Sequence, residues 1–285
     1  MPFVNAFKAL LDRDSLRPAL VPVVSRLARS QGLGVKEIFY DQGVWMHETE
    51  NGYFAYHQPY IRLNLRRLDE VARVNFFWGY KPRPGDVVMD VGAGVGEETL
   101  TFSHAVGTHG KVICIEAHPR TYHCLEKLIQ YNRLDNVTAL HHAATKPSCT
   151  TATIEDSKEY LGNRINAVQG FSVPATTIDE IHKKLDLGGI DFLKMNIEGA
   201  ERFAVQGMAE TLKQTRVLCI SCHDFLAEAR GDQELRTKAI VQQFLRESGF
   251  RIVARTEETP PPYLLDQVWA YNERIGEDVG RSQAA

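Results

Sequence analysis

The sequence predicts an α/β protein built on a doubly wound, mostly parallel sheet. Three observations carry this. From residue 86 onward, short apolar runs alternate with amphipathic helical stretches, the pattern of a sheet covered on both faces. The first of these runs empties into a glycine-rich turn, Asp90-Val91-Gly92-Ala93-Gly94-Val95-Gly96. The next run ends on an acidic residue, Glu116, where a nucleoside-binding α/β sheet places a carboxylate.

The elements follow in order. Strand-like runs at 87–91, 111–116 and 137–142 enclose helical stretches at 97–106 and 119–132, giving a βαβαβ rhythm. A looser stretch holds strand-like pieces at 151–154 and 171–174. The rhythm then resumes with a helix at 177–185, a strand at 191–196, a helix at 200–212 and a strand at 217–222. A helix at 233–248 and strands at 250–256 and 267–271 finish the unit. The loop between these last strands, with Pro260, Pro261 and Pro262, is too short for a crossover helix, so they pair antiparallel. Upstream, Phe3, Phe7, Leu10 and Leu11 have helical spacing, and Pro18 and Pro22 are expected to end that pattern. Residues 35–62, rich in aromatics, read as hairpin-like or irregular structure, and 65–80 as a helix closed by Lys81-Pro82-Arg83-Pro84-Gly85. The expected organisation is an N-terminal extension over 1–80 that packs on the domain, covers the site or makes a dimer contact, a cofactor-binding domain over 81–274, and a flexible tail over 275–285.

Of the 285 residues, 44% are hydrophobic, and 33 basic against 36 acidic side chains leave a formal charge of −3. That balance supplies no overall field for phosphate backbones, so nucleic acid is not an expected partner. The five cysteines are few and scattered, as in a reduced compartment, and charged residues interrupt each apolar run near the N-terminus. A cytoplasmic protein that neither spans nor binds a membrane is expected.

Gly92, Gly94 and Gly96 let a strand turn sharply into a helix and let a ligand approach the backbone. Glu116 can accept both hydrogen bonds of a ribose diol. A dinucleotide site wants a third glycine where this chain has Glu97, and the pair Glu97-Glu98 would repel a pyrophosphate at the helix start. S-adenosyl-L-methionine carries no phosphate and has a sulfonium cation, which the surrounding carboxylates, Asp90 included, tolerate or favour. An NAD-dependent oxidoreductase is the alternative on the same sheet. A cofactor-binding protein without catalysis is another.

The run DVGAGVGEET, IEAHP after the second strand, NRLDNV at the next helix exit and above all LKMNIEGAE resemble the FkbM family of S-adenosylmethionine-dependent methyltransferases. The resemblance implies a class I methyltransferase fold, with seven strands and an antiparallel last strand. It also implies transfer to a hydroxyl oxygen, commonly on a sugar or a polyketide-type natural product. By the same resemblance Asp90, Gly92, Ala93, Gly94 and Gly96 surround the methionine part, Glu116 takes the ribose, Ala117 and His118 lie beside the adenosine, and His142 and Ala143 border the adenine. One departure stands out: where the family has an aspartate this chain has Asn196, an amide that can contact cofactor or substrate but cannot act as a base.

Methyl transfer to an alcohol needs alignment and removal of a proton. His223, in CISCHDF at the end of the fifth strand, has the right ordinary pKa and is expected to be the base. Glu198 orients the acceptor or serves as a second base; it could equally be a carboxylate at a helix N-terminus. A divalent ion such as Mg2+ on Glu198, His223 and Asp224 is a minor route, and without tight ligand spacing no metal site is assigned. Cys219-Ile220-Ser221-Cys222-His223 matches a haem-attachment pattern, but buried strand thiols are the better reading. The expected partner is a small-molecule hydroxyl acceptor shaped by the aromatic segment before Leu65 and by residues 156–171; a homodimer is left open.

Overall fold

The computed structural model describes residues 11, 13, 15–156, 165, 169–256 and 260–275. Phe3, Phe7 and Leu10, the tail after Ile275 and most of 157–168 lie outside the described residues. In the first part of the chain, α1 (Arg17–Ser30) precedes a three-stranded antiparallel sheet of β1 (Val35–Asp41), β2 (Val44–Thr49) and β3 (Gly52–Tyr56), and α2 (Leu65–Phe76) follows. The central layer is formed by β4 (Val87–Val91), β5 (Lys111–Glu116), β6 (Val137–His141), β10 (Ile190–Met195), β11 (Thr215–Ser221), β12 (Phe250–Val253) and β13 (Gln267–Asn272). Their order is β12-β13-β11-β10-β4-β5-β6, with β13 antiparallel to both neighbours and the pairs from β11 to β6 parallel. This is the class I methyltransferase arrangement expected from the sequence.

The strands are nearly continuous apolar runs because both faces are buried. Met89, Ile113, Leu193 and Leu218 pack into one core layer, while their neighbours Val88, Val112, Phe192 and Val217 enter the other. Phe192 stacks on Trp269 at 13° and 5.8 Å between ring centroids. The covering helices are α3 (Glu97–Val106), α4 (Pro119–Asn132), α5 (Ile178–Lys184), α6 (Glu201–Ala204), α7 (Ala209–Leu212), α8 (Asp224–Arg230), α9 (Lys238–Glu247) and α10 (Pro262–Leu265). A small sheet of β7 (Ala143–Ala144), β9 (Phe171–Thr176) and β8 (Thr151–Ile154) accounts for the looser stretch.

Several expectations are corrected. The helix expected around Phe3 to Leu11 falls largely outside the described residues, but Pro18 and Pro22 belong to a further helix that was not expected, Pro18 in the first turn of α1 and Pro22 inside it. An interior proline costs a helix about 3 kcal/mol, and tertiary contacts offset this: Val24, Ser25 and Ala28 are buried, and Ser25 Oγ accepts the Ile38 N–H of β1 at 3.0 Å. α2 stops at Phe76 rather than residue 80. The single helix expected over 200–212 is three pieces, α6, a 3-10 turn at Val205–Gly207 and α7. Gly207 sits in the break, where a Cβ would press on the Thr145 carbonyl and on Thr177. α9 begins only at Lys238, after a 3-10 turn at Gln233–Leu235, and α8 was not expected at all.

Of the two readings of residues 35–62, hairpin-like or irregular, the hairpin-like one holds, in the antiparallel β1-β2-β3 sheet. Their aromatics pack on one another and on α4, as with Phe39, Tyr53 and Tyr131. Asn132 joins the layers, its Oδ1 accepting Tyr53 N–H at 2.8 Å and its Nδ2 donating to Tyr53 O at 2.7 Å. Among the described residues, no helix is long and apolar enough to cross a membrane.

Candidate cofactor and acceptor site

β4, β5 and β10 end side by side, and parallel sheets bind ligands beyond such carboxyl edges. A cleft opens there with about 700 Å³ of space, counting its mouth. Gly92, Gly94, Glu116, Ala117, His118, His142 and Ala143 line it, as does Asn196, so eight of the residues expected to hold the cofactor share one cavity. Glu198 lines it too, and Ile154 and Ile165 close it from the side of the small sheet. None of the described lining residues comes from the aromatic segment 35–62, whose rings are spent on packing.

The turn is built to leave room. Gly92 has φ +78°, and a Cβ there would strike the Asn196 carbonyl. Gly94, at φ +59°, faces the cleft with nothing within 4 Å of where a Cβ would stand. Glu116 fixes the shape of the turn: Oε2 accepts Gly94 N–H at 2.9 Å and Oε1 accepts His118 N–H at 2.8 Å. Each carboxylate oxygen keeps a lone pair for a further donor. Burial pushes the Glu116 carboxyl up, and the two amide donors pull against it.

Asp90, Ala93 and Gly96 do not line the cleft. Gly96 starts α3, and a Cβ there would press on Leu125 and Leu128; Ala93 is buried in the core between β4 and α3. Asp90 is fully buried and lies 2.8 Å from Lys194 Nζ. The same ammonium donates to Gly92 O at 2.8 Å and sits 5.3 Å from the centre of the Phe76 ring. Asp90 therefore acts on the turn through Lys194. Burial opposes the charge of Lys194, but Asp90 and Glu98 more than offset it and hold its pKa above the ordinary value. Burial also raises Glu98, to about 7. Lys194 belongs to the LKMNIEGAE run that carries the family resemblance, but the sequence reading gives it no role. The signal was there: a lone lysine in the apolar run of β10, in register with a lone aspartate in β4.

The cleft contains polar atoms that the protein leaves unmatched. His142 Nδ1 and Asn196 Oδ1 are buried and lack hydrogen-bond partners. His118 Nε2 stands 3.5 Å from Asp156 Oδ1, an ion-pair distance, and its Nδ1 caps α4 through Thr121 N–H. Burial lowers the pKa of both His118 and His142, which favours neutral rings that can accept or donate. Buried polar groups normally find partners, so a ligand with both hydroxyl and heteroaromatic edges fits this wall. These are the groups of an adenosine.

At the other end, Glu198 projects beyond Asn196, and His223 lies behind it. His223 does not line the cleft. Its Nε2 is 3.4 Å from Glu198 Oε1 and its Nδ1 3.2 Å from Glu201 Oε1, both ion-pair distances. Burial works against a charged ring, but the two carboxylates raise His223 to about 10. His223 is off the cleft wall and both of its ring nitrogens face carboxylates, so it is not placed to take a proton from a substrate there, and the expected general-base role is corrected on that geometry. Glu198, despite burial that would raise it, is lowered chiefly by His223. Asp224 does not join them: its Oδ1 accepts the N–H groups of Thr237 and Lys238 at 2.9 and 3.0 Å, at the start of α9. Among the described residues, no group of three or more His, Cys, Asp or Glu is arranged to hold a metal ion. Cys219 and Cys222 are buried, with thiol pKa values pushed up by burial.

The sequence profile of the Methyltransferase FkbM domain matches residues 90–252, more than half of the chain. No curated protein sequence matches. Among solved structures, the methyltransferase FkbM from Methylobacillus flagellatus KT is similar at 18% identity and a TM-score of 0.44, over 66% of this chain and 43% of that one. The chain thus spans less than half of that relative's length. A SAM-dependent methyltransferase from Aquifex aeolicus is 18% identical over 72% of this chain and 95% of its own, with a TM-score of 0.42. Aeropyrum pernix fibrillarin, solved with bound S-adenosyl-L-methionine, is 14% identical over 84% and 99%, with a TM-score of 0.45. On the profile match, the chain belongs to the FkbM family of S-adenosylmethionine-dependent methyltransferases.

Proposed function

We propose that the protein methylates a hydroxyl oxygen of a small molecule, a sugar or a polyketide-type scaffold. The observation that carries this is Glu198: an ionised carboxylate on the wall of the cofactor cleft, beside the neutral amide of Asn196. When bound, S-adenosyl-L-methionine supplies an electrophilic methyl group on a positively charged sulfur. Glu116 would accept the two ribose hydroxyls, while His118, His142 and Asn196 would meet the polar edges of the adenosine and the methionine part. Gly92 and Gly94 leave the space. Glu198 then accepts the hydrogen of the substrate hydroxyl, turns an oxygen lone pair toward the cofactor, and takes the proton as that oxygen becomes acidic during transfer. A carboxylate of low basicity suffices, because the proton need move only once the new bond to oxygen is forming.

Calorimetry with S-adenosylhomocysteine and, separately, NAD tests the cofactor. Only the former should bind, and Glu116→Ala should weaken it about 10- to 100-fold, the worth of hydrogen bonds to a charged group. Incubation with cofactor and panels of sugars, polyketide-type alcohols and amines, read by mass spectrometry and proton NMR, tests the acceptor. An O-methyl product is expected. N-methylation alone, or cofactor binding without any product, refutes the hydroxyl reading.

A further inference from the structure

We propose that His223 is a positioning residue: locked between two carboxylates, it holds Glu198 from behind so that the carboxylate faces the cleft as acceptor of the substrate hydroxyl. The proposal rests on the hydroxyl-acceptor reading of the site. Four observations support it.

The His223 ring is buried at 5% exposure, does not line the cleft, and lies 3.4 Å from a residue that does, Glu198, through which it can act on the site. Glu201, on its other side, is itself immobilised: it is fully buried, Oε1 accepts Ile197 N–H at 3.3 Å, and Oε2 accepts the Thr237 hydroxyl at 3.2 Å. Glu198 adopts φ +53°, a left-handed conformation rare outside glycine, and Gly199 follows at φ +94°. This backbone turn brings the Glu198 side chain to both the cleft and the histidine. Finally, two buried carboxylates this close to one imidazole repel each other unless the ring is charged.

The other charged groups nearby are committed elsewhere or add to this. Asp224 caps α9, and Asp266 accepts Phe225 N–H at 2.6 Å and pairs with Lys238. Arg230 and Lys194 both act to keep Glu198 ionised, and the neighbouring Cys222 thiol is held neutral by burial. In the reaction the hydroxyl proton goes to a Glu198 oxygen and is later released to solvent. His223 keeps its own proton throughout.

Imidazole NMR of the full-length protein, isotope-labelled at histidine, reads this directly. Of the chain's ten histidines, one should remain protonated at pH 8.5 in the wild type, and Glu198→Gln should lower its midpoint by more than one pH unit. If no histidine is protonated at pH 8.5, or if the midpoint is unmoved in Glu198→Gln, the proposal fails. The wild-type measurement decides even if a variant does not fold. A role in activity is separated from a role in folding by the pH profile of kcat. In His223→Gln, kcat should drop about 10²-fold, the cost of a misplaced reacting group, and its acid limb should move up, because burial that raises Glu198 is no longer opposed by His223. An unshifted acid limb overturns the positioning role. S-adenosylhomocysteine binding to the wild type reports separately on the cofactor reading, so the two can fail independently.

Discussion

Replacing Lys194 by methionine removes one charge from the centre of the sheet while keeping the length and most of the packing of the side chain against Phe76. Lys194 is 1% exposed and Asp90 0% exposed, and they meet at 2.8 Å. Deleting one partner of such a buried pair leaves an uncompensated charge and typically costs about 3 to 5 kcal/mol. The hydrogen bond to Gly92 O is lost as well. For a protein of this size each kcal/mol moves Tm by about 2 to 4 °C, so a fall of about 6 to 20 °C is expected. The assay is urea or thermal unfolding of wild type and variant at pH 7, followed by S-adenosylhomocysteine titration below the transition. Binding should weaken too, because the Gly92 carbonyl loses the ammonium that anchors it. Adding Asp90→Asn to Lys194→Met should recover part of the stability, since the orphaned charge disappears. A loss below about 1 kcal/mol in the single variant, or a double variant less stable than the single one, would refute the reasoning that the pair fixes the turn.

Two more outcomes follow from the same geometry. Gly92→Ala should abolish measurable S-adenosylhomocysteine binding and destabilise by about 2 kcal/mol or more, from left-handed strain of about 1 to 2 kcal/mol plus displacement of the Asn196 carbonyl; near-wild-type calorimetry would contradict the contact. Glu98 has a folded-state pKa near 7, above its ordinary 4.5, so the folded chain holds this proton more tightly and stability is lost as pH rises between those values. Glu98→Gln should flatten that decline, seen as a smaller difference between urea midpoints at pH 5 and pH 8; equal differences in the two proteins would exclude Glu98 as its source.

Much of this architecture was legible locally. The strands of the central sheet could be located because each is buried on both faces and reads as an unbroken apolar run. The glycine turn and Glu116 could be paired because the distance along a βαβ unit is set by its covering helix. What could not be read were features settled by remote contacts. Pro22 sits inside a helix because β1 buries Val24 and Ala28, and residues 200–212 break because Gly207 meets Thr145 and Thr177. The start of α9 is set by Asp224, a residue outside that helix.

The candidate site divides in the same way. The sequence by itself determined the side of the sheet, the glycine cradle, the carboxylate of Glu116 at the end of β5 and the charge pattern that favours a sulfonium over a pyrophosphate, because these depend on neighbours within one βαβ unit. Only the tertiary structure decided that Asp90 works through Lys194, that Asp224 is turned away, and that His223 stands off the cleft with both ring nitrogens toward carboxylates. A protonation state depends on burial and on charges within a few ångströms, and at His223 those charges come from Glu198 and Glu201, on a loop and helix that only the folded sheet brings alongside.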